Sequence, residues 1–273
     1  VVCLQNGLCE PRIGKILGDE RVLGAVVMWG ASMPQPGVYD RTSGGGFVLG
    51  ALQPATNEEA LRKLADALSS VGPVFVSQNL LGARWSKLAI NCAISTLGTI
   101  AGQRLGALLV DRRARALASE IIDEVVTTAQ TSGVTLEKVP GLLDVRLLAR
   151  SVHSSALGRA LGTVSCHTVL LGMGLRYRRL RSSMLAAIER SKPAAVDYLN
   201  GEVVACAAQH GGSVPVNRAA VELVHDIAAG RRRSSWSELH DLYRRTRNPA
   251  GAPATVPHAE STTKLSPTDR GET

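Results

Sequence analysis

The chain has 273 residues, 45% of them hydrophobic and only 3% aromatic, with a net charge of +8. That length supports one or two domains around a sizeable core, which must be built from Leu, Val, Ile and Ala rather than from aromatic rings. The basic excess is Arg in three places (Arg112, Arg113 and Arg115; Arg176 to Arg181; Arg231 to Arg247), without aromatic interleaving, zinc-finger spacing or an evident helix-turn-helix; this argues against nucleic acid and for an anionic small molecule or plain solubility.

Val1 to Leu4 reads as a short strand ending at Asn6-Gly7, and Pro11 to Leu17 as one or two helical turns closed by Gly18. Arg21 to Trp29 holds the apolar run VLGAVVMWG of a buried strand. Gly37 to Asp40 and Gly46 to Leu52 read as further strands, with Gly44-Gly45-Gly46 as a flexible hairpin turn between them. A phosphate loop is the weaker reading there, since no GxGxxG occurs and a strand follows. Thr56 to Ser70 has helical period, with Thr56 or Asn57 as its cap before Glu58 and Glu59, and Val74 to Val76 is a last short strand. This small α/β part would leave its sheet poorly covered.

After Asn79 no strand is expected. Helices are expected over Leu80 to Gly106, Arg112 to Ser132 (apolar side Ala116, Ile121, Val125, Val126), Leu142 to Leu161 and Ser182 to Arg190. Three more follow: Ala194 to His210, started by Pro193; Val216 to Ala229; and Ser237 to Arg245. From Asn248 the chain is rich in Pro, Thr, Ser and Gly and should be disordered. The fold class is therefore α/β plus all-α, with residues 1–78 as the α/β part, 79–247 as the helical part and 248–273 as a tail.

One stretch stands out, Trp85 to Gln103, WSKLAINCAISTLGTIAGQ. Lys87, Asn91 and Ser95 are spaced four apart on one side of a helix. Lys87 is the only charged residue in the stretch, and a helix apolar almost all round should be buried. An ammonium there is costly unless it lines a cleft or has a partner, and burial pushes its pKa down toward neutrality. Two readings fit this pattern equally: the wall of a site with a proton donor and two hydrogen-bonding groups in a row, or a snorkelling lysine beside back-bonding polar residues.

The five cysteines, Cys3, Cys9, Cys92, Cys166 and Cys206, have no framework spacing and read as reduced thiols of a cytoplasmic protein. No signal peptide or membrane span is evident, and the six histidines show no metal spacing, so no metal and no membrane partner are expected.

Several motifs in order, LQNG at Leu4 to Gly7, WSKLAINCAIS at Trp85 to Ser95, SSML at Ser182 to Leu185, VDYLNG at Val196 to Gly201 and HGGSVPVN at His210 to Asn217, resemble the ketopantoate reductase family. Each tetrapeptide alone is weak; the ordered set, spanning residue 1 to about residue 225, is specific. The resemblance implies the remainder of a Rossmann-type NADPH-binding domain followed by a helical 6-phosphogluconate-dehydrogenase-like domain, with the site between them. It implies Lys87 as general acid, Asn91, Ser95 and Ser183 at the substrate, and Asn6 beside the cofactor. The substrate would be a 2-oxo acid, most specifically 2-dehydropantoate, and a homodimer is compatible with it. Departures are Ser95 and Ala195, where the best-known members carry an asparagine and a glutamate, and the lack of a glycine fingerprint upstream of LQNG. That lack reads as a missing first third of a family member, a truncation or a fragment. The competing expectation is a non-catalytic remnant serving as a helical interaction or dimerisation module.

Within these motifs Asp197, Tyr198 and Asn200 read as a buried polar network rather than ligand contacts, Arg176 to Arg181 as a solvated face, and Cys92 as packing.

Overall fold

The computed structural model describes residues 1–53, 58–149 and 156–247. Its first part gives strand β1 (Val2–Cys3), helix α1 (Glu10–Leu17), strands β2 (Leu23–Val27), β3 (Ala31–Gln35), β4 (Val38–Arg41) and β5 (Phe47–Ala51), helix α2 (Glu58–Ser69) and strand β6 (Val74–Val76). The main sheet has the order β1-β2-β5-β6: β1 lies parallel to β2, β2 antiparallel to β5, and β5 parallel to β6. Strands β3 and β4 pair only with each other, in an exposed ribbon.

Two expectations are corrected here. The Gly44-Gly45-Gly46 stretch is not a hairpin turn between neighbouring strands; it leads the chain from the ribbon back into the main sheet, where β5 pairs with β2. The hairpin turn is at Pro36-Gly37, where Gly37 takes the positive φ of 81° that side chains avoid. Strand β3, ASMPQ, escaped notice because an exposed ribbon needs no alternating apolar face. The sheet is covered on both faces at its central strands, while Phe75 and Val76 of β6 stay exposed. Leu61 of α2 packs with Leu23, Ala25, Phe47, Leu49 and Ala51 on one face, while Val26 and Val48 meet Ala83 and Val139 on the other. The proposed cap residues Thr56 and Asn57 lie outside the described residues, as does the tail from Asn248.

The rest of the described chain is helical: α3 (Leu80–Ala101), α4 (Leu105–Val110), α5 (Arg112–Thr131), α6 (Ala156–Arg176), α7 (Ser183–Ile188), α8 (Asn200–Gln209), α9 (Pro215–Ala228) and α10 (Trp236–Arg247). Helix α3 is the axis. The side chain of Asn79 caps its start by accepting from the Gly82 amide at 3.0 Å, and Gly102, left-handed at φ 67°, ends it. Its apolar residues Leu88, Ala89, Cys92, Ala93, Leu97 and Ile100 are buried in the core that α5 and α9 complete. Its first turn rests on the sheet, because Gly24 and Gly50 face each other across β2 and β5. A Cβ on either would come within 2.7 Å of Leu80, so only glycine admits the helix this closely.

Some helix boundaries differ from expectation. Gly102 separates α3 from α4 where one helix to Gly106 was expected. Leu142 to Leu161 is not one helix: Val145–Leu147 is a 3-10 turn, and α6 begins at Ala156 and continues to Arg176. The β-branched run through Thr163, Val164, Thr168 and Val169 masks that helix in the sequence, and packing against α4 and α5 overrides the propensity. Ala194 to His210 is likewise broken, into a 3-10 turn at Ala195–Tyr198 and then α8, with Leu199 at φ −116°, ψ −96° between them. On α5 it is Ala114 rather than Ala116 that is fully buried with Ile121, Val125 and Val126.

A buried polar chain locks α8 and α9 to α3 and α5. Asn200, fully buried, accepts from the Thr96 hydroxyl at 2.5 Å and donates to the Cys92 carbonyl at 3.2 Å and to Asn217 Oδ1 at 2.8 Å. Asn217 in turn donates to Glu124 at 2.7 Å, and Glu124 accepts the Val216 and Asn217 amides at the start of α9. Burial raises the pKa of Glu124, while these bonds oppose the rise. Among the described residues no helix is long and apolar enough to cross a membrane.

Candidate active site

Helix α3 brings its polar face to the carboxyl ends of two parallel strands. Lys87 is half-buried, and its ammonium donates to the carbonyl of Val27, the last residue of β2, at 2.6 Å. Burial, and then the charge of Arg84 one turn earlier, bring its pKa down from 10.5 to about 8. An ammonium has three N–H donors, so one bond to Val27 leaves two for another acceptor. The lysine is therefore not a surface group: it is partly desolvated and anchored at the sheet edge.

The neighbouring strand β1 runs into the Leu4–Gly7 loop, which carries Asn6 with its side chain exposed. Gly7 has φ 93°, and a Cβ there would sit 2.4 Å from the Tyr198 carbonyl, so glycine is needed both for the turn and for the contact with the helical part. Asn6 thus lies in the loop that leaves the carboxyl end of β1, the strand paired in parallel with β2. In α/β sheets this edge is where ligands bind.

Asn91 and Ser95 follow Lys87 at one-turn intervals, both half-buried, and their side chains make no hydrogen bond among the described residues. Ser183 is exposed as the first residue of α7. Its neighbour Ser182 places it: the buried Ser182 hydroxyl donates to the Ser95 carbonyl at 2.8 Å, lies 2.8 Å from the Thr99 hydroxyl, and caps α7 through the Leu185 amide. Ser183 is thereby brought to the Ser95 turn of α3. Lys87 is thus tied to the end of β2, Asn91 and Ser95 follow it along α3, Ser183 adjoins the residue bonded to the Ser95 carbonyl, and Asn6 lies in the loop after β1, the strand paired with β2.

Other motif residues serve the frame. The buried polar network expected of Asp197, Tyr198 and Asn200 holds for Asn200 alone, which with Asn217 belongs to the buried chain above: the 3-10 turn before α8 leaves Tyr198 and Asp197 exposed, and Asp197 accepts from His225 at 2.9 Å. Cys92 is fully buried, which raises its thiol pKa well above 9.0 and makes it inert packing. Arg176, Arg178, Arg179 and Arg181 are exposed, and Arg181 pairs with Glu189.

Arg84 was not anticipated. It is 2% exposed and donates to the carbonyls of Gln5 at 2.6 Å and Cys3 at 2.9 Å and to the carboxylate of the buried Glu10. Its position three residues before Lys87 on the same helix face was the available signal. Cys3, Cys9 and Glu10 also come together, with ligating atoms within 4.8 Å of one another. The Glu10 carboxylate is already committed to Arg84, and burial first, then the neighbouring Cys9, raise the Cys3 thiol to about 11, so the group is poorly suited to a cation.

The Lys87 ammonium lies at the carboxyl end of parallel strands with N–H groups left over, and the Asn91 and Ser95 side chains along the same helix have free hydrogen-bonding capacity, a set that can bind and protonate a small polar group. The chain holds no GxGxxG for a pyrophosphate.

Comparison with known proteins places the chain among relatives of one family. A family model described as "Ketopantoate reductase PanE/ApbA C terminal" matches residues 79–228, and one described as "Ketopantoate reductase PanE/ApbA" matches residues 1–54. The chain is 25% identical over 219 residues to the 2-dehydropantoate 2-reductase of Pyrococcus horikoshii, covering 80% of this chain and 63% of that protein. The crystal structure of a PanE/ApbA family ketopantoate reductase from Ralstonia eutropha JMP134 superposes with a TM-score of 0.66 at 25% identity, over 84% of this chain and 67% of that one. A D-mandelate dehydrogenase in complex with NADH shares the fold, with a TM-score of 0.66 at 24% identity, over 84% of this chain and 70% of that one. The chain thus spans about 63% of the length of the curated relatives it matches first.

Proposed function

The chain belongs to the ketopantoate reductase family, and on that premise we propose that it serves the NADPH-dependent reduction of a 2-oxo acid, with 2-dehydropantoate to pantoate as the specific reaction. The observation that carries this is the partly desolvated Lys87 ammonium held at the carboxyl end of β2, the strand paired with the one that leads into the Asn6 loop. Residues 1–78 serve as the dinucleotide-binding part and 79–247 as the substrate part.

Reduction converts a C=O to a CH–OH by adding a hydride to carbon and a proton to oxygen. The reduced nicotinamide, when bound, supplies the hydride. Lys87 holds the proton: one of its free N–H groups donates to the ketone oxygen and transfers the proton as negative charge develops there. A pKa near 8 keeps most of the lysine protonated at neutral pH, yet makes the proton easier to give than one on a free lysine. Asn91 and Ser95 orient the substrate along α3, Ser183 binds it from the start of α7, and Asn6 meets the nicotinamide side.

The experiment is calorimetric titration of the chain with NADPH, then with a panel of 2-oxo acids that includes 2-dehydropantoate, followed by product analysis. Saturable NADPH binding and formation of the 2-hydroxy acid are expected. No binding of either ligand would refute the reductase reading and favour a helical interaction module.

A further inference from the structure

Helix α3 grips two adjacent strand ends with two cations one turn apart. Lys87 holds the end of β2 through the Val27 carbonyl; Arg84 holds the end of β1 through the carbonyls of Cys3 and Gln5, and the start of α1 through Glu10. These contacts bracket the loop that carries Asn6 on both sides: Cys3 and Gln5 come before it, Glu10 after it. Gly24 on β2 makes room for the clamp, since a Cβ there would lie 2.4 Å from the Glu10 carboxylate.

We propose that Arg84 is a positioning residue: its guanidinium fixes the Asn6 loop against the helix that carries Lys87, so that the cofactor-side amide and the proton donor stay in register. The planar fork of arginine suits this task, because it can meet two carbonyls and a carboxylate at fixed angles. A buried ion pair is a poor device for stability alone, since an apolar pair of similar volume usually does as well or better. The two further acceptors of Arg84, the carbonyls of Cys3 and Gln5, give this pair a geometric task. Arg84 also bears on Lys87 electrically, as the charge that joins burial in lowering its pKa. The other titratable groups around the pair are Glu10 on α1 and the Cys3 and Cys9 thiols flanking the loop. The Cys3 thiol, raised to about 11, stays neutral and offsets none of that charge.

The kinetic arm of the test rests on the reductase reading; the other arms do not. The double variant Arg84→Met with Glu10→Met replaces the ion pair by apolar side chains. Its urea midpoint is expected to stay at or above that of the wild type. Amide exchange over residues 4–8 should accelerate at least tenfold, and the pH midpoint for acetylation of Lys87 should rise above about 8. With NADPH and a 2-oxo acid, kcat per folded molecule should fall by about 10- to 100-fold, as a misplaced catalytic group predicts. Arg84→Lys should return the Lys87 midpoint to about 8 while the loop stays mobile, because it restores charge without the fork. Should the double variant fail to fold, Glu10→Gln serves: with Arg84 no longer neutralised, the Lys87 midpoint should drop below its wild-type value. An unchanged exchange rate and an unchanged Lys87 midpoint in the folded variants would overturn the proposal. Absence of turnover in the wild-type chain, with exchange and midpoint shifting as stated, would overturn the reductase reading alone.

Discussion

Replacing Lys87 by methionine should stabilise the protein at neutral pH while removing its proposed proton donor. A lysine whose pKa falls from 10.5 to about 8 on folding carries its charge in the native state at a cost of about 3 kcal/mol. The bond to the Val27 carbonyl returns about 1 kcal/mol of that, and methionine keeps most of the apolar stem. The net expectation for Lys87→Met is a gain of about 1–2 kcal/mol at pH 7. The sign with pH follows from proton counting. Between about pH 8 and pH 10.5 the unfolded chain binds more protons at this site than the folded one, so the wild type becomes more stable as pH rises through that window. Below pH 8 both states are protonated and the penalty is complete. Urea unfolding of wild type and variant at pH 7 and again near pH 10 measures this directly; the variant's advantage should shrink toward zero or reverse at the higher pH. A variant that is less stable at pH 7 by more than about 1 kcal/mol, with the same gap at pH 10, would refute the desolvation of Lys87.

Three further outcomes are expected. Asn200→Ala orphans the Thr96 hydroxyl and Asn217 Oδ1 inside the helical core, and should cost about 2–5 kcal/mol in urea unfolding. Gly50→Ala drives a methyl against Leu80 where 2.7 Å is available; a loss of about 1–3 kcal/mol is expected, read from the thermal midpoint. Ser182→Ala removes both the cap of α7 and its tie to α3 and should cost about 1–2 kcal/mol, whereas Ser183→Ala should leave stability within about 0.5 kcal/mol and raise KM for the 2-oxo acid.

What could be read from the sequence followed the strength of local physical signals. A single cation in the apolar stretch from Trp85 to Gln103 is rare enough to single out Lys87 without neighbours, and it is partly buried, as burial of α3 requires. Arg84 offered only its spacing from Lys87: it stands just before the apolar run, and its acceptors lie 74 to 81 residues away in the chain. The main-sheet strands showed as apolar runs and β4 as the strand at Gly37 to Asp40, while β3, exposed along its length, showed no pattern to read. Helix α6 carried β-branched residues that hide it from propensity, and its packing decided the matter. Gly44 to Gly46 looked like a hairpin because the sequence does not record which strands pair; the register of β5 on β2 does. Ser182 and Ser183 were inseparable in sequence; only the contact with the Ser95 carbonyl divides them into a structural and an exposed serine.

The most direct test is steady-state turnover of NADPH and 2-dehydropantoate by the wild type and by Lys87→Ala across pH. A general acid at Lys87 predicts a wild-type kcat that declines as pH rises through about 8 and a loss of about 10²- to 10⁴-fold in the variant at neutral pH. Equal kcat in the two proteins, each shown to be folded, would contradict it.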